Sequence, residues 1–567
     1  VRGKVFVNDA ELASYEAKGR IEKFSAIFAL CVIGLTIFFL GLSAYGLFDV
    51  DETRYAASAM EMIRSGNYLI PTFNGVPRLN KPILFYWLLV SGVKLFGVSP
   101  GSFRLASAVF AFATCLWLGH LVYRESRVEG GFLAGAILAT SPIYAYLGRV
   151  VMTDMVFSVL LFSASLFLYL GIFDERKVRR RFVVAGYLSM GLAFLTKGPA
   201  GVVLPLASIL IFGLVNGRFR RTIEDLLDWW GVLVFLLVSV PWYAAVLFVK
   251  GPSFFFDFFI KENILRFLRV TSGHRGPIVY YVPVIFLGMF PWSLFLPQAV
   301  FKILRDRGFS LRAFEENVSL DMFLLLYSGV IFVFFSLSAT KLPTYVLSIF
   351  PALAVIVALY LERVILEVRF PSFGFYMGAY VFSVCVLILG LVLLFPGEYF
   401  PQVEEVGISG ILSIPTIIFL FAATLTALFT IFRRGVKRVR VKIFAVMLIT
   451  QLLFIWFAFF GVLPAVYANR QGDLERISAI INQRAGEEDT IVFYRKFKPS
   501  VVYFTGKRVA KADSFEEIVA LWDGVGKLYL IFKGKSPVGV ELWKLGNARL
   551  AYRGRVYSLY EIFPGGG

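Results

Sequence analysis

Apolar positions in this chain do not alternate with polar ones; they come in long unbroken blocks. After 24 polar residues of mixed charge, positions 25–48 are almost continuously apolar. Further blocks follow at 104–122, 131–148, 155–173, 182–196, 199–215, 231–249, 279–300, 322–337, 343–361, 373–395, 411–432 and 443–466. A helix needs about 20 mainly apolar residues to cross the hydrocarbon core of a bilayer, so these blocks predict 13 membrane helices. The first is too long for a signal-peptide core and has no small-residue cleavage site, so it reads as a retained anchor. One more block, 83–97, has only 15 residues and fits either a short span or a helix lying in the interface. Beyond residue 466 the apolar density falls and the pattern shortens. Positions 490–494, 527–532 and 556–562 read as strands, and 474–484 and 515–522 as helices, which predicts a small α/β domain over 467–567.

Charge decides how the short block lies. If 83–97 does not cross and the N-terminus is cytoplasmic, the loops 124–130, 174–181, 216–230, 301–319, 362–372 and 433–442 share one face and carry 22 Lys and Arg. The opposite short loops, 149–154, 197–198, 338–342 and 396–410, carry three. Cytoplasmic loops are the basic ones, so the expected topology is 13 spans, N-terminus inside and C-terminus outside. This divides the chain into a cytoplasmic segment 1–24, a membrane domain 25–466 with long external loops 49–103 and 250–278, and an external domain 467–567.

Composition agrees. The chain is 58% hydrophobic and 17% charged, with 61 Phe in 567 residues, and its mean hydropathy is +0.75. Soluble domains are about 45–50% apolar and about 25% charged. Disordered, nucleic-acid-binding and ordinary cytosolic classes are thereby excluded, and the net charge of +19 is read as basic loops on one membrane face. Cys31, Cys115 and Cys385 lie in apolar blocks and suggest neither a disulfide framework nor a metal site.

Charged residues near a membrane are costly and mark function by default. On the expected external face they gather: Asp51, Glu52, Arg54 and Lys81 in the first loop, Asp154 after the third span, Lys197 and Lys341 at span ends, and Glu262, Arg266, His274 and Arg275 in the second long loop. Carboxylates with several cations on one face suit chemistry on an anionic, lipid-linked substrate: the cations bind phosphate, and a carboxylate acts as a base or holds a sugar hydroxyl. Each residue also has a plain structural reading. Asp51 and Asp154 could cap helices, and Lys or Arg at span ends could reach for headgroups. His120 sits inside a span and reads as structural.

The order of short motifs is informative. Asp51-Glu52-Thr53-Arg54-Tyr55-Ala56 is followed by Asn80-Lys81-Pro82, Tyr86-Trp87, Asp154, Thr196-Lys197-Gly198-Pro199, Pro241-Trp242-Tyr243, Glu262-Asn263-Ile264-Leu265-Arg266-Phe267, His274, Pro291-Trp292 and Thr340-Lys341-Leu342-Pro343-Thr344-Tyr345. Across residues 45–351 this resembles the membrane glycosyltransferases that use polyprenyl-phosphate sugars: the lipid A aminoarabinose transferases and, more distantly, the protein O-mannosyltransferases. The resemblance implies a GT-C fold, an all-α polytopic membrane protein with a C-terminal extracytoplasmic α/β domain. It places 83–97 among juxtamembrane helices. It further implies a bacterial inner-membrane enzyme that transfers a sugar, with inversion, from undecaprenyl phosphate or a similar polyprenyl carrier to lipid A or a related envelope lipid. A protein acceptor is the alternative in the same class, and a multi-span lipid transporter or flippase the alternative outside it.

By the same resemblance Asp51 and Asp154 are the catalytic pair. Lys81, Arg54, Arg266 and Lys341 are donor-phosphate ligands. Glu52, Tyr55, Tyr86, Lys197, Glu262, His274 and Tyr345 are substrate contacts. The expected partners are the sugar donor, the envelope acceptor and membrane lipids, with no nucleic acid. The chain departs from the aminoarabinose pattern at Asn80, where those enzymes carry Glu, and at Asn263 and Leu265, where they read His and Gln. A carboxylate and an imidazole that could ligate a metal are thereby missing, so no cofactor is assigned and a divalent metal is left open. A negative charge that would pair with an amino sugar is missing too, so a neutral sugar or a uronic acid stands beside aminoarabinose as donor.

Overall fold

The computed structural model describes residues 9–126, 128–173, 179–270, 273, 275–307, 318–367, 373–395, 412–431, 436–522, 525–534 and 544–564. Among these, nine helices are long and apolar enough to cross a membrane, from Ile21–Phe38 near the N-terminus to the 47-residue Arg438–Arg484. A helix pair, Ile278–Gly288 and Trp292–Asp306, supplies a tenth candidate. The helices Val128–Ala139, Arg179–Lys197 and Ala200–Val215 occupy the remaining blocks that the hydropathy pattern marked.

Two expected spans are not single straight helices. The block 131–148 divides into Val128–Ala139 and Pro142–Leu147, because Pro142 cannot continue a helix from Ser141. In lipid the backbone groups freed by such a break must be satisfied internally. Here the Thr140 carbonyl accepts from Gln451 at 3.0 Å, and the Thr140 hydroxyl accepts the Trp292 indole N–H at 2.9 Å. The block 279–300 is bent by 111° at the Met289–Pro291 junction; the hydroxyl of Ser293 donates to the Phe286 carbonyl across the corner at 2.6 Å. The short block 83–97 is the helix Leu84–Phe96 of 13 residues. At 1.5 Å per residue it is about 20 Å long, too short to cross.

The first long loop is ordered by its own chemistry. Asp51–Ser65 is an alanine-rich helix that ends at Gly66 in the left-handed conformation (φ +68°), the usual glycine stop. A two-stranded hairpin follows, β1 (Thr72–Phe73) and β2 (Val76–Pro77), turning through Asn74 and Gly75 at φ +58° and +77°. Positive φ at both central residues is the type I′ turn that Asn-Gly favours. The carboxylate of Glu61 accepts from the Thr72 hydroxyl and the Asn74 amide, both at 2.6 Å, and so fastens the hairpin to the helix.

The C-terminal region is a five-stranded mixed sheet of β3 (Thr490–Tyr494), β4 (Ala510–Ala512), β5 (Leu528–Lys533), β6 (Asn547–Arg553) and β7 (Tyr557–Phe563), in the order β4-β3-β5-β7-β6. The first three strands are parallel and the last two antiparallel to their neighbours. Period-two alternation sends Ile491, Phe493, Tyr529 and Ile531 to one face and Val492, Tyr494, Leu530 and Phe532 to the other. The first face packs on Leu474, Ile477 and Ile481 of the long helix and on Ala57 of the first loop. Two strands and the helix Pro499–Thr505 lay outside the sequence expectation. The last membrane helix runs without interruption through a π-helical stretch, Ala458–Val462, into this region, so the domain hangs from a continuous helical rod.

Candidate active site

The site is assembled on a buried ion pair. Arg104, 1% exposed, donates to both carboxylate oxygens of Glu52 at 3.0 and 2.9 Å and to the carbonyls of Leu42, Tyr45 and Gly46. Glu52 also accepts the backbone N–H groups of Phe48 and Val151 at 2.8 and 3.0 Å. One carboxylate thus ties the start of the first-loop helix to the second expected external segment, just before Asp154. Glu52, expected among the substrate contacts, is a saturated internal anchor with no lone-pair direction turned to a ligand.

That anchor sets Asp154 at the head of the helix Thr153–Ile172. It caps nothing there: its carboxylate accepts from the ammonium of Lys197, the last residue of Arg179–Lys197, at 2.8 Å. Lys197 opens on a cavity of about 320 Å³ that also presents Lys81, Arg266, Glu262 and Tyr345. Glu262 and Arg266 pair at 3.3 Å, one turn apart along the π-helical segment Phe256–Leu265 and its continuation. Such segments recur at functional sites because they re-aim side chains. The rest of the wall is apolar: Phe157, Val203, Ile264, Phe267, Leu268 and Phe334 among others, with Val203, Ile264 and Leu268 at least half exposed at its rim.

The charges in this cavity do not cancel. Lys197 and Arg266 have carboxylate partners, whereas Lys81 has neither an ion pair nor a hydrogen bond among the described residues. Burial, reinforced by Lys197 and Arg266 and opposed by Glu262 and Asp154, pulls the Lys81 ammonium down to about 8. Polar atoms beside it are buried without partners: Oδ1 of the preceding Asn80 and Nε of Arg266. An unsatisfied buried polar group costs about 1–3 kcal/mol, so this cluster is disposed to accept a ligand.

Asp51 lies on the neighbouring wall, the first residue of its helix, exposed and without a capping hydrogen bond. Beside it Arg54 sits 5.7 Å over the Phe73 ring and Arg78 sits 4.5 Å over the Tyr55 ring. Tyr55 packs against Phe85 and Tyr86 at 5.2 and 5.5 Å. Burial raises its phenol, opposed by Arg78 and reinforced by Asp51 and Asp154, so both expected catalytic carboxylates lie within electrostatic reach of Tyr55.

Besides Glu52, two expectations are not met by this geometry, and one lies outside it. Lys341, expected at the donor phosphate, is buried and donates to the carbonyls of Ser336 and Ser338, both at 2.8 Å; it closes the C-terminus of Leu320–Leu337 and does not line the cavity. Arg54 stands with Arg78 outside the cavity lining. His274 lies outside the described residues. The sequence reading passed over Arg78 and the apolar wall; the first carries no motif, and the second is indistinguishable from lipid-facing helix surface in the sequence. No group of three or more His, Cys, Asp or Glu among the described residues is placed to hold a metal ion, and no step is routed through one here.

Comparison with known proteins agrees with this architecture. A family model of dolichyl-phosphate-mannose-protein mannosyltransferases matches residues 80–244. The undecaprenyl phosphate-alpha-4-amino-4-deoxy-L-arabinose arabinosyl transferase of Shewanella sediminis (strain HAW-EB3) is 31% identical over 327 residues, 57% of each chain. That of Pectobacterium carotovorum subsp. carotovorum (strain PC1) is 30% identical over 405 residues, 70% of each chain. The match thus spans a little over half of the first relative's length and 70% of the second's. The crystal structure of ArnT from Cupriavidus metallidurans bound to undecaprenyl phosphate superposes with a TM-score of 0.78 at 21% identity, covering 94% of this chain and 97% of that one. The fold is therefore that of a GT-C membrane glycosyltransferase. With relatives at this identity and coverage, the chain belongs to the superfamily of lipid-phosphate-dependent glycosyltransferases that holds the aminoarabinose transferases and the protein mannosyltransferases.

Proposed function

We propose that this protein transfers a glycosyl group from an undecaprenyl-phosphate donor to lipid A or a related envelope lipid at the outer face of the inner membrane. The observation that carries the reading is the cavity itself: Lys81, Lys197 and Arg266 at its polar end and a continuous apolar wall beside them. A lipid phosphate needs both in one place, cations for the head and an opening to lipid for the chain. The leaving oxygen gains charge as the bond to the anomeric carbon breaks, and preorganised cations at that position supply what is often the largest catalytic contribution.

Asp51 and Asp154 are the catalytic carboxylates in this reading. Asp51 has no fold-making hydrogen bond to lose and is free to act on the acceptor, as general base toward a hydroxyl or as an orienting group toward a phosphate. Asp154, held by Lys197, positions the sugar or acceptor. The attacking group enters opposite the carrier phosphate, so the product is inverted at the anomeric carbon. The N-terminus is cytoplasmic and the C-terminal domain periplasmic, which the distribution of basic loops supports. The test is incubation of the purified protein with radiolabelled undecaprenyl-phosphate sugars and lipid A. Labelled lipid A is the expected product; movement of intact donor lipid across the bilayer without sugar transfer would refute the proposal.

A further inference from the structure

We infer that Arg78, with Arg54, forms a second oxyanion subsite beside the donor-phosphate cavity, taking either a carboxylate on the transferred sugar or a phosphate on the acceptor. The inference rests on the functional reading above and extends it to what the enzyme selects.

Arg78 is half-buried at the foot of the hairpin, its guanidinium stacked on Tyr55, and its Nη1 is buried without a hydrogen-bond partner. Arg54 lies close enough that Arg78 and burial together hold its guanidinium below the usual arginine range. Like charges repel more strongly where they are partly buried, and an anion bound between them would relieve that repulsion. Among the described residues neither has a carboxylate within ion-pair distance. Of the acidic groups facing Arg54, Asp49 is engaged by Ser500 and Thr53, and Asp51 points to the exposed side of the helix start. A guanidinium fork left open in this way matches a carboxylate or phosphate bidentately.

The position excludes the donor phosphate as the occupant. Neither arginine lines the cavity in which Lys81, Lys197 and Arg266 meet. Tyr55, beneath Arg78, is within electrostatic reach of both Asp51 and Asp154, so an oxyanion on Arg78 sits near the carboxylates to which the functional reading gives the reaction. The balance of charge is positive: Arg54, Arg78 and Lys81 have no ion-pair partner among the described residues, whereas Asp154 is paired with Lys197 and Asp49 is engaged by Ser500 and Thr53, which leaves Asp51 as the opposing charge. The site therefore favours an anionic partner over an amino sugar.

The test uses the intact protein in nanodiscs, wild type beside Arg78→Met and Arg78→Lys. Binding is measured for undecaprenyl phosphate, undecaprenyl-phosphate uronic and neutral sugars, and lipid A with and without its phosphates. Loss of a charge-assisted hydrogen bond, about 1.5–3 kcal/mol, is roughly a ten- to hundredfold loss of affinity. Arg78→Met is expected to bind either the uronic donor or the phosphorylated lipid A that much more weakly, and the arm that weakens identifies the oxyanion. Arg78→Lys recovers part of the loss, and undecaprenyl phosphate itself binds all three proteins equally. Equal affinity of wild type and Arg78→Met for both oxyanion-bearing ligands overturns the proposal, as does a loss that extends equally to undecaprenyl phosphate. Failure of the wild type to bind undecaprenyl phosphate refutes the functional reading instead.

Discussion

Lys81 and Asp51 are both polar residues at the edge of a membrane helix bundle, yet the structure gives them opposite environments. Lys81 is enclosed among cations, and its ammonium titrates near 8 in the free protein. A bound phosphate stabilises the charged form, so undecaprenyl phosphate should bind tightly below pH 8 and progressively less well as the pH rises through and above it. The arginine of Lys81→Arg stays charged, and its binding should be flat over that range; equilibrium binding across roughly pH 7–10, above the second ionisation of the phosphate near 6, checks both. Asp51→Asn keeps shape and capping ability but removes charge. Because no cap depends on it, the expected result is a fold of unchanged thermal stability with transfer reduced about 10²–10⁴-fold, measured as kcat on the purified variant. Glu52 differs again. Glu52→Gln leaves the Arg104 guanidinium buried without its counter-charge, which typically costs about 3–5 kcal/mol. A lowered unfolding midpoint in detergent is the expected reading, with partial recovery in the double variant Glu52→Gln, Arg104→Met.

At the scale of elements, the contact of most consequence joins the first-loop helix and hairpin to the C-terminal sheet domain. The amide of Asn74 pairs with both backbone groups of Val509 at 2.9 Å, Arg64 donates to the Gly506 carbonyl, and Asp49 accepts from the amide and hydroxyl of Ser500 at 2.9 and 2.8 Å. Asp49 lies two residues before Asp51, so the domain reaches the candidate base through one short stretch of backbone. Ser500→Ala removes one hydrogen bond, worth about 0.5–1.5 kcal/mol. The expected effect is a severalfold fall in transfer rate with undecaprenyl phosphate affinity unchanged, since Lys81, Lys197 and Arg266 are held by other elements. Parallel rate and binding measurements separate the two.

The whole molecule is a helical membrane bundle whose candidate chemistry lies at one end, with the sheet domain docked over that end. More than half of the net charge of +19 belongs to the other end in the topology proposed above. Single cysteines in a version lacking Cys31, Cys115 and Cys385 test this directly in intact cells. Those placed at Ser65 and Glu487 should react with an impermeant reagent, and one at Arg220 should react only after the membrane is opened. Labelling of Arg220→Cys from outside would reverse the assigned orientation.

Hydropathy determined the bundle and the existence of an α/β domain, because lipid and a sheet core each impose a strict pattern on a sequence, and the basic loops decided that the short helix Leu84–Phe96 does not cross. The Lys81 motif marked the end of the bundle where the cavity lies, and the Asp51 and Asp154 motifs fall near it, because charge survives near lipid only where it is held. What the tertiary structure decided is which of those charges remain available. Glu52 and Lys341 carry motif positions as prominent as Lys81, yet one is saturated by Arg104 and two backbone amides and the other by helix-end carbonyls. Arg78 carries no motif at all and is left with an open guanidinium. Residue type fixes a side chain's charge and hydrogen-bonding groups, but residues far apart in the chain determine whether those groups are already satisfied, and that is decided only when the chain folds.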